Sequence, residues 1–214
     1  HPDQLRPALL GVDVDAGATR IDVHAEQGGT KLIRVTDNGG GMSDEELLLA
    51  VEPHATSKIA AETDLYAITT MGFRGEALAS IGAVSQLRIA SVAAGAAGGF
   101  ELEVDDAQRS PLRPYAAGQG TRVEVRNLFH NTPARRKFLK SPATEFSHIQ
   151  EQVIRCALTR PDVAFHLTHH ARTILELPVT ENLRTRLAAV FGTELAEPLL
   201  QVFVQDRAIS LQAY

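Results

Sequence analysis

The sequence has 214 residues, of which 44% are hydrophobic and 22% charged, a balance that excludes long disorder, a collagen repeat and a coiled coil. This length suits one full domain and part of a second. The net charge of −5 excludes a globally basic protein, so any DNA contact must come from a local patch, and 5% aromatic residues argue against an aromatic-rich platform for single strands. No apolar stretch approaches the roughly 18 residues of a membrane span. A single cysteine, Cys156, favours a reducing, cytoplasmic setting.

The first secondary-structure elements that the sequence predicts are two segments in which apolar and polar residues alternate. Arg20–Glu26 and Lys31–Asp37 are therefore predicted as strands with one buried face, and the glycines at 28 and 29 predict a hairpin between them. Ser43, followed three residues later by Glu46, predicts a capping box at the start of a helix.

Further strands and helices follow in clusters. The predicted strands are Gln86–Ala93, Phe100–Asp105, Thr121–Asn127, Val163–Thr168, Thr173–Leu177, Leu199–Val204 and Ala208–Leu211; the predicted helices are Arg74–Val84, a helix capped by Ser141 and ended by Pro161, and Leu183–Phe191. Ser110–Gly120 is predicted as a connection rich in proline and glycine. Clustering without strict alternation predicts an α+β sandwich, a mixed and mostly antiparallel sheet with helices on one face. We expect two domains: residues 1–195 form the first, and residues 196–214 form the first strands of a second, truncated domain.

Two glycine-rich segments are candidate binding sites. Asp37-Asn38-Gly39-Gly40-Gly41-Met42 ends a strand just before a capped helix, where it is either a tight turn or a loop that lets a ligand approach the backbone. In the second interpretation, the strand-end Asp37 can accept a hydrogen bond from an exocyclic amine such as that of adenine. Gly72-Phe73-Arg74-Gly75-Glu76-Ala77 opens a predicted helix, whose free N–H groups suit phosphate. Between them, Ala55-Thr56-Ser57-Lys58 is either a solvated loop or a mobile cover over phosphates.

Taken together, these segments resemble the MutL family of DNA mismatch-repair proteins, which belong to the GHKL group of gyrase, heat-shock chaperone, histidine kinase and MutL. The runs that carry the resemblance occur in the family's order: Asp15–Thr19, Asp37–Gly41, His54–Ile59, Gly72–Ile81, Gly120-Thr121 and Asn131–Leu139. The segments Gly-Phe-Arg-Gly-Glu-Ala-Leu and Asn-Thr-Pro-Ala-Arg-Arg-Lys-Phe-Leu are specific to this family within the group.

The resemblance implies a Bergerat-type (GHKL) fold that binds ATP with Mg²⁺. Asp37 would bind the adenine amine, and Thr121 would support that aspartate through a hydrogen-bond network. The implied cofactor-binding residues are Asp37, Gly39, Gly41, Met42, Ala55, Thr56, Ser57, Lys58, Gly72, Phe73, Arg74, Gly75, Glu76, Ala77 and Thr121. The family's activity would be an ATP-dependent clamp on DNA that couples mismatch recognition to downstream repair proteins and forms a homodimer on ATP binding. The implied setting is bacterial cytoplasm, associated with the nucleoid.

The family's first motif is incomplete in this sequence. Its general base, a glutamate, falls on Ala8, and its Mg²⁺-binding asparagine falls on Val12. Alanine cannot accept a proton and valine cannot coordinate magnesium, so the printed residues do not support ATP turnover. Pro53 also stands where the family usually has arginine, and the chain ends at Tyr214, before the family's second-subdomain lysine and C-terminal domain.

Other functions remain open beside the ATPase module. Arg135, Arg136, Lys137 and Lys140 form a basic run that would contact the DNA backbone, or is only a solvated helix face. The alternative is therefore a non-hydrolysing nucleotide- or DNA-binding fragment of this family. A histidine-kinase-like phosphotransferase is disfavoured because the Asn131–Leu139 segment has no place in one. His169 and His170 are predicted to point to opposite faces of a strand, which makes them a poor metal pair.

Overall fold

The computed structural model of the chain describes residues 17–53, 77–200, 202–206 and 209–213. Its centre is a nine-stranded sheet, with a separate pair of strands near the end of the chain. The strands are β1 (Arg20–Glu26), β2 (Leu32–Asp37), β3 (Gln86–Val92), β4 (Gly99–Asp105), β5 (Gln108–Arg109), β6 (Arg113–Tyr115), β7 (Gly120–Arg126), β8 (Ala164–His169), β9 (Arg172–Leu177), β10 (Val202–Asp206) and β11 (Ile209–Ala213). The helices are α1 (Asp44–Ala50), α2 (Ala77–Gly82), α3 (Pro133–Arg136), α4 (Pro142–Thr159), α5 (Leu183–Phe191) and α6 (Thr193–Ala196).

The main sheet is mixed and mostly antiparallel, as predicted. Its strand order is β5-β4-β3-β7-β2-β1-β8-β9, and β6 pairs with β4. Every pairing in it is antiparallel except that of β1 with β8. In an antiparallel pair, the end of one strand lies beside the start of the other. The carboxyl ends of β2 and β3 therefore both lie beside the start of β7.

The hydrophobic core lies between one face of the sheet and the helices. In β1, the alternation predicted from the sequence buries Ile21, Val23 and Ala25. Helix α4 contributes Ile149, Val153, Cys156 and Ala157 to the same core, while α1 contributes Leu47 and α2 contributes Leu78 and Ile81. The predicted α+β arrangement is thereby confirmed, and Cys156 is a buried core residue.

Local capping signals explain where two helices begin. The Ser43 side chain accepts a hydrogen bond from the Glu46 N–H at 3.2 Å, and the Glu46 carboxylate accepts one from the Ser43 N–H at 2.8 Å. The predicted capping box is therefore present at α1. Helix α4 has Ser141 as its N-cap and proline at its first position, also as predicted.

The other face of the sheet carries a cross-strand row of ion pairs. Glu124 on β7 is 4% exposed. Its carboxylate forms ion pairs with Arg34 of β2 and with Arg126 of its own strand, each with a nitrogen–oxygen distance of 2.8 Å. On β3, Arg88 pairs with Glu101 of β4. Burial disfavours the charged form of Glu124, but the hydrogen bond from Arg126 and the charge of Arg34 outweigh it, so the pKa of Glu124 lies below its ordinary value. This carboxylate is therefore ionised and satisfied inside the sheet face.

Four of the short elements named above were missed by the sequence analysis: the two-residue strand β5, the strand β6, and the helices α3 and α6. Within the predicted connection Ser110–Gly120, residues Arg113–Tyr115 form β6 on the edge of β4. Pro114 argued against a strand here, because proline has no N–H to donate to a neighbouring strand. An edge strand tolerates proline, since one of its sides needs no such bond. The one-turn helices α3 and α6 are too short to show a periodic pattern.

The prediction that His169 and His170 point to opposite faces of a strand was wrong. Their ring centroids lie 4.2 Å apart, and the His169 ring also stacks on Phe146 at 4.0 Å. The alternation of a strand does not extend to His170, because β8 ends at His169 and His170 has a φ of 49° in the following turn.

The chain's last described strands, β10 and β11, pair antiparallel in a two-stranded sheet of their own. The predicted division at residue 195 falls inside α6, and it stays a prediction. Among the described residues, no helix is long and apolar enough to cross a membrane.

The buried ion pair of Glu124 leads to a stability prediction. We expect Glu124→Gln to lower the free energy of unfolding by about 1–3 kcal/mol at neutral pH, because both arginines lose a charged partner. The folded pKa is lowered, so the wild-type advantage is present above the unfolded value of about 4.3 and disappears as pH falls below it. Urea unfolding across this pH range measures the difference. Glu103→Gln, on the same face with an exposed side chain, is the control; an equal loss in both variants would contradict the prediction.

Candidate functional site

The candidate site is the loop of residues 37–42, which joins the end of β2 to α1. Asp37 is the last residue of β2 and is 5% exposed. One of its carboxylate oxygens, Oδ1, accepts a hydrogen bond from the Gly39 N–H at 2.7 Å. The strand holds the Asp37 backbone and the loop holds its carboxylate. The aspartate is therefore fixed in both position and orientation.

Ser91, at the end of β3, joins this loop to the start of β7. Its hydroxyl accepts a hydrogen bond from the Met42 N–H at 2.8 Å and lies 3.0 Å from the hydroxyl of Thr121. Ser91 is fully buried and Thr121 is 7% exposed, so water does not compete for these contacts. The loop gains a further hydrogen bond from the Ala94 N–H to the Gly40 carbonyl at 2.8 Å. Thr121 thus supports the loop through Ser91.

Two glycines allow the loop to lie directly against these strand ends. A Cβ atom on Gly41 would stand 2.0 Å from the Val92 carbonyl oxygen, and one on Gly120 would stand 2.1 Å from the Asp37 carbonyl oxygen. Their φ angles of +66° and +123° also lie in the region that glycine tolerates. Because both obstructing atoms belong to the backbone, no side-chain rotation could make room. Glycine is required at both positions.

The outer side of the loop is held by two amide side chains. Asn38 accepts hydrogen bonds from the N–H groups of Thr19 and Arg20, both at 2.9 Å, and donates one to the Thr19 hydroxyl at 2.8 Å. Gln119 donates to the Gly39 carbonyl at 2.9 Å. These contacts connect the loop to the segment before β1 and to the segment before β7.

Sequence analysis missed Ser91, Gln119 and the role of Asn38. The available signal for Ser91 was a small polar residue within the otherwise apolar run Ile89–Val92. Its function depends on the meeting of β2, β3 and β7, which no local pattern reports.

The structure brings five of the predicted cofactor-binding residues into this one site: Asp37, Gly39, Gly41, Met42 and Thr121. Ala77 is the first described residue of α2. The others, Ala55–Lys58 and Gly72–Glu76, lie outside the described residues, as do Ala8 and Val12. In the described part of the chain, no group of three or more histidine, cysteine, aspartate or glutamate residues could hold a metal ion.

This geometry provides a buried carboxylate beside a partly exposed, glycine-rich backbone. The carboxylate oxygens of Asp37 can accept hydrogen bonds, which suits a ligand that presents an N–H or O–H group. Gly39 is buried, Gly40 and Gly41 are partly exposed, and the missing side chain of Gly41 makes room for the Val92 carbonyl.

The predicted DNA-binding residues lie in a second place, on and after α3. Arg135, Arg136, Lys137 and Lys140 are all exposed. None of them has an ion pair among the residues that the structure describes. The segment is held at both ends: the Asn131 side chain donates to the Ala83 carbonyl at 3.0 Å, and the Lys140 N–H donates to the buried Glu145 carboxylate at 2.7 Å. The four cations are therefore presented on an anchored segment.

Comparison with known proteins identifies the fold and the family. Residues 11–128 match the family model described as histidine kinase-, DNA gyrase B-, and HSP90-like ATPase. The MutL ATPase domain of Aquifex aeolicus, solved in complex with ADP, superimposes with a TM-score of 0.74 at 31% identity, covering 95% of this chain and 72% of that domain. The N-terminal domain of a DNA repair protein superimposes with a TM-score of 0.78 at 26% identity, covering 94% of this chain and 60% of the other.

Sequence relatives give the same result. The DNA mismatch repair protein MutL of Pseudomonas putida (strain W619) is 46% identical over 99% of this chain, and that of Herminiimonas arsenicoxydans is 49% identical over 92%. The chain spans about a third of these relatives, 34% and 32% of their respective lengths. The chain therefore belongs to the MutL family of DNA mismatch-repair proteins, within the histidine kinase-, DNA gyrase B- and HSP90-like ATPases.

Proposed function

We propose that this chain binds ATP in the loop of residues 37–42, as the N-terminal ATP-binding module of a MutL-like mismatch-repair protein. The observation that carries the proposal is the buried Asp37 carboxylate, oriented by Gly39 beside a glycine backbone. The similar MutL ATPase domain of Aquifex aeolicus was solved with ADP, which supports a nucleotide as the ligand.

Adenine is the part of the nucleotide that this loop would recognise. Its exocyclic amine donates hydrogen bonds, and the Asp37 carboxylate accepts them. By the family resemblance, Gly39, Gly41 and Met42 would line the base and ribose. Ser91 and Thr121 contribute by holding the loop in place, as their contacts lie at the Met42 end of the loop.

The phosphates would be held by residues assigned from the family resemblance. Ala55, Thr56, Ser57 and Lys58 would form the lid over them, and Gly72–Ala77 would cradle them at the start of the predicted helix Arg74–Val84. Backbone N–H groups at a helix start and a lysine both favour phosphate. This part of the proposal rests on the sequence motif.

Turnover is outside the proposal. The side chains of Ala8 and Val12 contain no oxygen or nitrogen, so they fit neither a general base nor a magnesium ligand. We therefore derive no step through Mg²⁺. A non-hydrolysing nucleotide- or DNA-binding module of the same family is the alternative, and phosphate release from ATP distinguishes it from an active ATPase.

The full-length protein's activity belongs to the same proposal. By family resemblance, ATP binding would close two copies into a homodimeric clamp on DNA and pass the signal from mismatch recognition to downstream repair proteins, in the cytoplasm at the nucleoid. The exposed cations at 135, 136, 137 and 140 would contact the phosphate backbone without reading sequence. Residues 1–195 would form the ATP-binding domain and residues 196–214 the first strands of the next one.

Replacing Asp37 tests the nucleotide site. We expect Asp37→Asn to weaken ATP binding about ten- to a hundredfold, because the charge-assisted hydrogen bond to the amine is lost and the new amide can present a donor. Isothermal titration calorimetry measures the affinity. Asp44→Asn removes an exposed negative charge from the adjacent helix start and should leave the affinity unchanged. Equal ATP affinities for Asp37→Asn and the wild type would reject the adenine role.

Replacing the basic run tests DNA binding. Alanine at Arg135, Arg136 and Lys137 should weaken binding to duplex DNA and reduce the slope of log affinity against log salt by roughly 2–3, since each phosphate contact contributes about 0.9. Nucleotide binding should not change.

A charge-matched control separates this local effect from the loss of net charge. Alanine at Arg113, Arg122 and Arg172 removes three exposed cations that lie on three different strands. If both triple variants show the same salt slope, the basic run is a solvated face and the assignment fails.

A further inference from the structure

Phe138 is an exposed aromatic ring within the basic run. Its side chain is 74% exposed, whereas the neighbouring Leu139 packs against the core. A phenylalanine left in water forgoes the stabilisation that burial would provide. The described residues leave this ring uncovered, so its position favours a contact with a partner.

The ring is held on a fixed backbone. The Phe138 N–H donates to the Arg135 carbonyl at 3.1 Å, and the Leu139 N–H donates to the Arg136 carbonyl at 3.2 Å, which continues the turns of α3. The anchors at Asn131 and Lys140 fix the two ends of the segment. A rigid ring loses little conformational entropy when it binds, which is the property of an effective contact residue.

The charges around Phe138 define the partner's chemistry. Residues 135, 136, 137 and 140 are cations without ion pairs among the described residues, in a chain whose net charge is −5. A partner that satisfies both features must combine regularly spaced negative charges with flat apolar faces. Nucleic acid provides phosphates for the cations and bases for the ring.

We propose that Phe138 stacks on an unpaired base, so that the basic run and this ring together form a contact site for single-stranded DNA. In a duplex, neighbouring bases cover each base face, and the ring could reach one only by opening a base step. In a single strand the faces are available. One ring is not a platform of aromatic side chains. Phe138 would stack on one base, while the cations bind the phosphates of the same strand. This inference rests on the proposed DNA contact of the basic run.

Phe191 is a matched control within the same chain. It is 51% exposed and ends α5. The two arginines of the same helix are engaged within the protein. Arg184 donates hydrogen bonds to the carbonyls of Glu197 and Leu199, and Arg186 is fully buried. Phe191 is therefore an exposed phenylalanine that, within the described part of the chain, has no free cation on its helix.

The test measures the DNA affinity of Phe138→Ala, Phe138→Trp and Phe191→Ala by fluorescence anisotropy at low salt. The two probes are a labelled oligothymidylate and a labelled blunt-ended duplex of equal length. Phe138→Ala should bind the single strand about tenfold more weakly, since stacking contributes roughly 1–3 kcal/mol per base, while duplex affinity stays within about twofold. Its salt slope should not change. Phe138→Trp should restore single-strand binding, and Phe191→Ala should behave as the wild type.

Several results would overturn the inference. Equal losses on the two probes, or no loss on either, would show that the ring does not read unpaired bases. Binding to anionic phosphatidylserine vesicles that depends on Phe138, without an effect on the single strand, would assign the ring to a membrane surface. A shift in self-association on Phe138→Ala would assign it to a second copy of the chain. If the wild-type chain bound neither probe at low salt, the DNA contact of the basic run would fail as well, which separates the two proposals.

Discussion

The candidate site depends on the close approach of the loop of residues 37–42 to the ends of two strands. Antiparallel pairing places the end of β2 and the end of β3 beside the start of β7. Glycine at 120 lets the β7 backbone approach the Asp37 carbonyl, and glycine at 41 lets the loop approach the Val92 carbonyl. With the backbone fixed in this way, Ser91 can reach both Met42 and Thr121, and the carboxylate of Asp37 has one orientation.

The two faces of the sheet serve different purposes. One face is apolar and packs against the helices, which gives the strands a rigid base. The other face satisfies its charges internally, with Glu124 between Arg34 and Arg126 and with Arg88 on Glu101. The cations of the basic run differ from these arginines because they have no acidic partner among the described residues, which leaves them available to phosphate.

The sequence analysis succeeded where structure follows from short-range chemistry. The capping box of Ser43 and Glu46 involves residues three apart, and the alternation in Arg20–Glu26 is a property of one strand, so both were predicted and confirmed. Asp37 and the glycines around it were found because a strand end, a glycine run and a helix cap are all visible in one stretch. Edge strand β6 was missed because a proline such as Pro114 ordinarily interrupts a strand. The rings of His169 and His170 were misplaced because strand alternation was extended into a turn. Ser91 could not be found from a local pattern, since its partners come from two other segments.

The most direct test of this account is ATP affinity in Gly120→Ala beside Gly118→Ala, each measured together with the free energy of unfolding. A Cβ on Gly118 meets nothing within 4 Å, whereas one on Gly120 would collide with the Asp37 carbonyl. The collision and the positive φ should cost Gly120→Ala about 1–3 kcal/mol of stability, which leaves a typical domain folded. The account predicts that Gly120→Ala binds ATP at least about tenfold more weakly than Gly118→Ala, because the loop and the Asp37 carboxylate are displaced. Equal ATP affinity in two folded variants would contradict it.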